Sequence, residues 1–576
     1  MKKTGKYQRI LLLWPYKERT VAKNEATDYG QLAPRYPLGM GFIKYHLRKH
    51  GYNADFIDCT MTDERSVNNG RVRFGYSDSQ IESMIREAKP DVVGISQMFS
   101  FDFDICRNIF SLVRKIDSDI ITVWGGTHPT VASHDCLNEC ADADYLVIGE
   151  GEMPFLRLLD TLNEGGDIAK VKSIGYRTAD GKIAINSERD WLPDLDSHVL
   201  PYGSKEELQP YYDRSGAINF VTSRGCPFSC MFCTAPQFYK KHFYARSPQN
   251  VADEMELLVN EYGFKKLSVE DEIFTYDMDR VEEICSLVIE KGLKFAWVAE
   301  SGLAISKLNY DLISKMKQAG FAELRLALES GDIEILKKMK KPVSLSKAKK
   351  VMKWVREIGI RTSCCILVGF PGETEEQMRM TIEFAKDVGF DWTIINIVVP
   401  LPGTQINMDL AKKGIKLDFS EFEGTTRPPS THELPAEKLL EIKEYANFIL
   451  NFEHNYNLRR GDSRVAEKDF SLLLEQYDFA KMWFYYGISL YKNAKPSDAL
   501  QAFKKGESFE QRAEMAANFI KFLQDPDSYE PDGRYLKADI EKSLGYDFGR
   551  LSIEKALENE KVKGTAYQRR HTKIEL

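Results

Sequence analysis

SRGCPFSCMFC (residues 223–233) places three cysteines, Cys226, Cys230 and Cys233, within eight residues. What those sulfurs can hold decides how the rest of the chain is read. Near neighbours in a reducing compartment do not form a lasting disulfide. A structural zinc site wants four ligands, normally in paired C-x2-C sets. The residues that follow, TAPQFYKKHFY, offer no cysteine and a single histidine, His242. A cubane iron–sulfur cluster takes one thiolate per iron. Three thiols would hold three irons and leave the fourth open to an outside ligand, by the logic of a catalytic metal that keeps a vacant position. The cysteines follow INFVTS, an apolar run read as a strand. They therefore fall in the loop at its C-terminal end, where barrel enzymes keep their chemistry.

Outward from that loop the chain alternates strand and helix on both sides. Upstream, RILLLWP, ADFIDC, DVVGISQ, IITVWGG and DYLVIGEGE are short apolar strands. Between them LGMGFIKYHLRKHGY, SQIESMIREAKP and DICRNIFSLVRKID carry helical spacing. Buried apolar strands alternating with helices predict a doubly wound, Rossmann-like parallel sheet over residues 1–190. Residues 191–215 are rich in Pro, Asp and Ser and read as a linker. Downstream, INFVTS, KLSVEDE, FAWVAE, ELRLALES, RTSCCILVG and WTIINIVVP give six strand–helix units, so residues 216–420 predict a partial, TIM-like (β/α)6 barrel. The fold class is α/β, closed by an all-α domain over 421–576. There Trp483, Tyr486, Gly487, Leu490, Ala499 and Phe503 sit at the offsets of a tetratricopeptide hairpin. The late positions, Gly506 and Gln511, depart from that pattern. Such a hairpin is either ordinary core packing or a docking module for a protein partner. EFEGTTRPPSTHELP (421–435), with Arg427 and His432, reads as a connector.

Composition narrows the class. Lysine and arginine total 79 against 86 acids, a net charge of −7, which argues against nucleic acid as partner. The apolar run near the N-terminus is about five residues, short of the roughly 7–15 of a signal peptide. No run of about 18 apolar residues predicts a membrane span. Ten cysteines without an export signal are expected to be reduced, so the protein is read as cytoplasmic, and those outside the loop, including Cys364 and Cys365, as packing residues.

C-x3-C-x-aromatic-C, here Cys226, Cys230, Phe232 and Cys233, resembles the signature of the radical S-adenosylmethionine (SAM) superfamily. The resemblance implies a 4Fe-4S cluster whose open iron chelates SAM and whose electron cleaves it to a 5′-deoxyadenosyl radical. It extends over about 200 residues. Phe232 matches the aromatic near the adenine, VEDEIF brings Glu270 and Asp271 as SAM-facing acids, and ALESG brings Glu329. ILVGFPGET brings Val368, and VVPLPGT brings Pro402. Taken one at a time, each acid is equally well read as a helix cap or a lysine partner.

The first domain, placed directly before the second, resembles the B12-binding domain of cobalamin-dependent radical SAM enzymes. No G-x-G-x-x-G follows the first strand, which disfavours a nicotinamide cofactor. Carried over, the resemblance puts Ser96, Met98, Gly125, Gly126, Thr127, Gly149 and Glu150 around the cobalamin. Many cobalamin folds supply a histidine to cobalt from the loop after the first strand. That loop here contains none, and His46 and His50 come only later, in the helix. Base-off binding without a histidine lower ligand is expected, the lower face being open or shielded by Tyr16 or Arg19.

Together these imply a methyltransferase that carries methyl from SAM, via methylcobalamin, to an unactivated substrate carbon made radical by 5′-deoxyadenosyl. The implied partners are a small-molecule or natural-product substrate and an electron donor such as flavodoxin or ferredoxin. The motifs leave open a non-methylating enzyme of the same architecture, performing ring formation, ring contraction or oxidative cyclisation. They also leave open an Fe–S and cobalamin sensor or redox protein whose helical tail docks a partner.

Overall fold

RILLLW forms strand β1 (Arg9–Trp14), with Ile10 to Leu13 buried, as an apolar run without alternation should be when both sheet faces are covered. Strands β2 (Asn53–Asp58), β3 (Val92–Ser96), β4 (Ile121–Gly125) and β5 (Tyr145–Val147) continue it in parallel. Strands β6 (Ile174–Arg177) and β7 (Ile183–Asn186), which the sequence did not announce, extend it antiparallel. The sheet runs β7-β6-β5-β4-β3-β1-β2. Strand order reverses between β1 and β3, the point at which doubly wound sheets bind ligands. Helices Leu38–Lys49 and Glu152–Glu164 cover one face, and Asp78–Ala88 and Phe103–Ile116 the other. The computed structural model describes residues 5–20, 34–68, 71–300, 303–415, 417, 434–474 and 480–507.

The second sheet is β8 (Ile218–Phe220), β9 (Lys266–Val269), β10 (Ala296–Ala299), β11 (Phe321–Glu329), β12 (Arg361–Val368) and β13 (Trp392–Ile397), all parallel and in chain order. β8 and β13 do not pair with each other, so the six parallel strands form an open sheet. Helices follow the strands, four of them started by hydroxyl caps: Ser247, Ser344, Thr374 and Thr404 accept from the amides of Asn250, Lys347, Gln377 and Asn407.

Two boundaries differ from expectation. Residues 191–215 are not a free tether. They contain the helix Lys205–Ser215, opened by Ser204, carrying Glu206 and Glu207 in its first turn, and ended by Gly216 at φ +77°. Tyr202, Leu208 and Tyr211 join the barrel core together with Tyr36 of the first domain. The Tyr36 hydroxyl lies 2.6 Å from the Pro201 carbonyl and 2.8 Å from Glu207. Turn-rich composition here marks a packed seam. Likewise, helix Ala436–Phe448 places Leu439, Ile442 and Ala446 in the barrel core, so packing carries the barrel unit past residue 420.

The expected hairpin is present as Ala480–Lys492 and Pro496–Glu507. Gly487 lets the Phe503 ring approach so closely that an added Cβ would stand 2.6 Å from it. Its core, with Phe470, Ile488 and Ala499, reaches Trp392 of β13. Arg427, His432 and Gln511 lie outside the described residues. Among the described residues no helix is long and apolar enough to cross a membrane. Asp469 of the helical domain, with a side chain 3% exposed, binds Arg361 of β12 at 2.7 Å. Asp469→Ala is expected to cost about 2 kcal/mol in urea unfolding, below the roughly 3–5 for a fully buried pair because Arg361 is part-exposed and keeps Glu323 at 3.3 Å.

Candidate active site

The cysteine loop is built by constraint on all sides. Beyond β8, Ser223–Arg224 pairs antiparallel with Tyr244–Ala245. Gly225 then turns at φ +85°, where a Cβ would lie 1.9 Å from the His242 carbonyl, so only glycine fits. The Met231 amide donates to the Met339 carbonyl at 3.0 Å, and the Met231 carbonyl accepts from the Ile406 amide at 3.2 Å. Met231 and Phe232 pack on Ile335, Met339, Phe370, Val398 and Ile406. This leaves Cys226, Cys230 and Cys233 partly exposed and unbridged, whereas six of the other seven cysteines are buried and Cys365 is partly so.

The thiols suit a cluster. The Ala235 amide donates to Cys233 Sγ at 3.4 Å. Burial pushes the Cys230 thiol up to about 11, opposed by the Lys341 ammonium, which is the charge a bound thiolate set requires. Among the described residues no three His, Cys, Asp or Glu side chains converge to hold a single ion.

The SAM candidates divide. Glu329 ends β11 at φ +67°, beside a bulge, and binds Lys341 at 2.8 Å. Lys341 Nζ in turn lies 6.0 Å from the Phe232 ring centre. Glu329, Lys341, Phe232 and the thiols thus form one cluster of groups. Glu270 ends β9 in an ion pair with Arg35. Asp271 does not face SAM. Strand alternation turns it inward, where it accepts from the Thr222 amide at 2.6 Å and from the Thr222 and Ser223 hydroxyls at 2.5 Å. Its neighbour Glu272, not singled out from sequence, faces the loop, accepting from the Gly225 amide at 3.0 Å and the Tyr239 hydroxyl at 2.6 Å. The Val368 side chain is fully buried in the barrel core, leaving only its backbone for a ligand, and Pro402 is buried in the turn after β13.

Glu373, in the GFPGET turn, is fully buried and accepts from the Phe370 amide at 3.0 Å. Burial raises its carboxyl to about 7. A carboxyl raised on folding contributes stability that is present below its unfolded value and lost as pH climbs through 7. Glu373→Gln is therefore expected to exceed the native protein in stability at pH 8, by up to about 3 kcal/mol, and to lose that advantage by pH 5. Denaturant midpoints at the two pH values read this directly.

At the C-terminal edge of the first sheet lies a cavity of about 300 Å³. Ser96, Met98, Gly125, Gly126, Thr127, Gly149 and Glu150 line it, and Ser223, Arg224, Tyr239 and Glu272 close it from the barrel side. The cavity lets a ligand approach the backbone closely at Gly125, where an added Cβ would meet only Val147, at 3.9 Å. Gly126 serves differently. At φ +106° its Cβ would strike the Gln97 carbonyl at 2.3 Å, so it shapes the turn. Tyr16 does not reach the cavity. Its ring lies 3.4 Å from the Arg73 guanidinium and its hydroxyl bonds Asn108, beneath the helices on the opposite face. The Arg19 side chain lies outside the described residues. Among the described residues, none that lines the cavity is a histidine. His46 is buried elsewhere and burial holds it down to about 4.

Across the barrel mouth and interior runs a ladder of alternating charge that sequence reasoning missed. Arg35, from the first domain, pairs with Glu270 and, at 2.8 Å, with Glu300. Glu300 meets Arg325 at 3.3 Å, Arg325 meets Glu323 at 3.6 Å, and Glu323 leads through Arg361 to Asp469. Glu300 Oε1 is buried without a partner, an acceptor that a ligand donor would satisfy. Only the inward alternation E-x-R on β11 and R-x-S on β12 hinted at a polar interior.

Fold and site define an enzyme in which a three-thiol cluster loop faces a doubly wound ligand domain. The comparisons place it. Residues 220–385 match the radical SAM superfamily and residues 34–159 the B12 binding domain, a pairing that supports a B12-dependent radical SAM family. It is 27% identical over 512 residues to cytidylyl-2-hydroxyethylphosphonate methyltransferase of Streptomyces wedmorensis, covering 81% of this chain and 93% of that protein. It is 25% identical over 425 residues to the anaerobic magnesium-protoporphyrin IX monomethyl ester cyclase of Rubrivivax gelatinosus, covering 72% and 74%. In fold it resembles the cobalamin-dependent SAM radical enzyme OxsB, solved with aqua-cobalamin and SAM (TM-score 0.59, 15% identity, 96% of this chain and 78% of that one). It also resembles the radical SAM methyltransferase TsrM of Kitasatospora setae, solved with cobalamin and a [4Fe-4S] cluster (0.57, 17%, 70% and 75%).

Proposed function

We propose that the protein is a cobalamin-dependent radical SAM C-methyltransferase acting on a small molecule in the cytoplasm. The observation that carries this reading is a cavity shared by both domains, in which Gly125 and Thr127 face Ser223 and Arg224, three and two residues before Cys226. When bound, the cluster would supply the electron that cleaves SAM, and cobalamin the methyl group. The chain's own residues bind, orient and exclude water. Cys226, Cys230 and Cys233 hold the cluster, with Lys341 offsetting thiolate charge. Glu329 and Phe232 flank SAM. Ser96, Gly125, Gly126, Thr127 and Gly149 cradle the cobalamin in its base-off form, a reading supported by the lining, in which no described residue is a histidine. Glu300 and Arg35 present the polar groups that orient the substrate at the barrel mouth. An acidic low-potential protein such as flavodoxin or ferredoxin delivers the electron.

The test is anaerobic reconstitution with iron, sulfide and hydroxocobalamin, followed by turnover with SAM and dithionite over a substrate panel. S-adenosylhomocysteine and a methylated product accompanying 5′-deoxyadenosine are expected. Turnover that gives 5′-deoxyadenosine alone with a substrate consumed favours the non-methylating reading, for which the cyclase relative speaks. A cluster that forms without any SAM cleavage leaves only a sensing role.

A further inference from the structure

The cluster loop and the cobalamin loop are joined by one buried guanidinium. Arg224 stands two residues before Cys226. Glu150 and Glu152 stand one and three residues after Gly149, the first in the loop that follows β5 and the second at the start of the helix Glu152–Glu164. Arg224 Nη2 lies 2.7 Å from Glu152 Oε1 and Nη1 lies 3.4 Å from Glu150 Oε2, with side chains 10%, 4% and 5% exposed. The guanidinium also covers the Phe42 ring at 4.8 Å. From the strand beside Arg224, the Tyr244 hydroxyl donates to Glu150. On the other side His198 Nε2 lies 3.2 Å from Glu152 Oε1, its ring stacked on Phe42 at 4.9 Å.

Stability alone does not account for such a group. Taking an arginine and two carboxylates out of water costs about as much as their attraction returns, and apolar residues of equal volume often serve as well. What a planar guanidinium does provide is direction at Glu152, through its hydrogen bond to Oε1, while Glu150 Oε2, which has no hydrogen-bond partner, adds an ion pair at 3.4 Å. Glu150 sits in this short loop and Glu152 opens the helix into which the loop leads. Meeting both therefore fixes distance and tilt between that loop and the Ser223–Arg224 strand that carries the cysteines.

We infer that Arg224 is a positioning residue whose paired contacts with Glu150 and Glu152 set the spacing between the cluster and the cobalamin. The inference rests on the cofactor reading given above. It assigns no step of the chemistry to Arg224; it assigns the geometry in which the two cofactors address one substrate.

The test uses the fully reconstituted protein, its cobalamin poised as cob(II)alamin, with the cluster either oxidised or reduced. A nearby reduced cluster speeds the electron-spin relaxation of cob(II)alamin steeply with proximity, which microwave power saturation reads without turnover. In Arg224→Met both cofactors are expected at native stoichiometry, with the relaxation enhancement changed severalfold. Arg224→Lys should recover only part of it, because an ammonium cannot span both carboxylates with fixed geometry. Arg224→Met with full cofactors and native relaxation overturns the inference. Should Arg224→Met fail to fold, Glu150→Gln, which keeps the volume and the Tyr244 contact, takes its place with the same two outcomes. Loss of cobalamin from every variant with the cluster intact also overturns it, since the contact would then hold the cofactor and not the spacing. A native protein that takes up no cluster or no cobalamin fails the proposed function, which is a separate result.

Discussion

Cys230→Ala is expected to abolish reductive SAM cleavage, to below about one-thousandth of the native rate, equivalent to roughly 4 kcal/mol or more in activation free energy. Cys230 sits between the other two thiols and its Sγ lies 3.9 Å from the Lys340 carbonyl. No other cysteine of the described loop stands in reserve, since the remaining seven belong to other segments. Iron and sulfide content after anaerobic reconstitution, with 5′-deoxyadenosine formation under dithionite, measures the effect. The fold should survive, because the loop is pinned through the Met231 backbone and its apolar neighbours and not through the sulfurs. Native-like SAM cleavage by the variant would sink the assignment of the loop.

Gly125→Val should empty the cobalamin site and leave the protein otherwise intact. An added Cβ at Gly125 would meet only Val147, at 3.9 Å, so a side chain there starts into the cavity with its first carbon clear of any neighbour. Cobalamin affinity is expected to fall at least tenfold, about 1.4 kcal/mol, with the melting temperature little changed and 5′-deoxyadenosine formation retained. Gly126→Ala is the counter-experiment. At positive φ and 2.3 Å from the Gln97 carbonyl, its methyl group should destabilise the domain outright. Equal loss of stability in the two variants would mean that Gly125 shapes the chain and not the ligand.

The parts of this enzyme that were legible beforehand are those whose cause is local. The apolar runs of β1, β3 and β4 need only neighbours above and below, and their sequence says so. Three thiols in one loop announce their chemistry by spacing. The glycines at strand ends were likewise readable, because a missing side chain means close approach wherever it stands. What stayed hidden depends on partners far along the chain. Asp271 and Glu272 are adjacent, and which of them faces the cysteine loop follows from the register of β9 and not from residue type. Lys341 acquires its role only once the segment after β11 folds against the loop. Tyr16 follows β1 by two residues, yet the small strand Lys17–Thr20 and its partner Arg71–Phe74 carry it away from the cavity. The seam at 191–215 misled for a related reason: proline, aspartate and serine describe turns, while tyrosines within it, paired with Tyr36 across some 170 residues, do the packing.

The charge ladder from Arg35 to Asp469 bears on how this protein could ever be divided. Its rungs come in turn from the N-terminal sheet's first connection, the barrel strands and the C-terminal helices. Cutting the polypeptide between any two of these regions would strand a guanidinium or a carboxylate in low dielectric with nothing to neutralise it. Fragments expressed alone should therefore aggregate or stay unfolded, while the same fragments produced together should find one another. Evolutionary exchange of the catalytic barrel with that of a cousin would meet the same obstacle unless both ends of the ladder travelled with it.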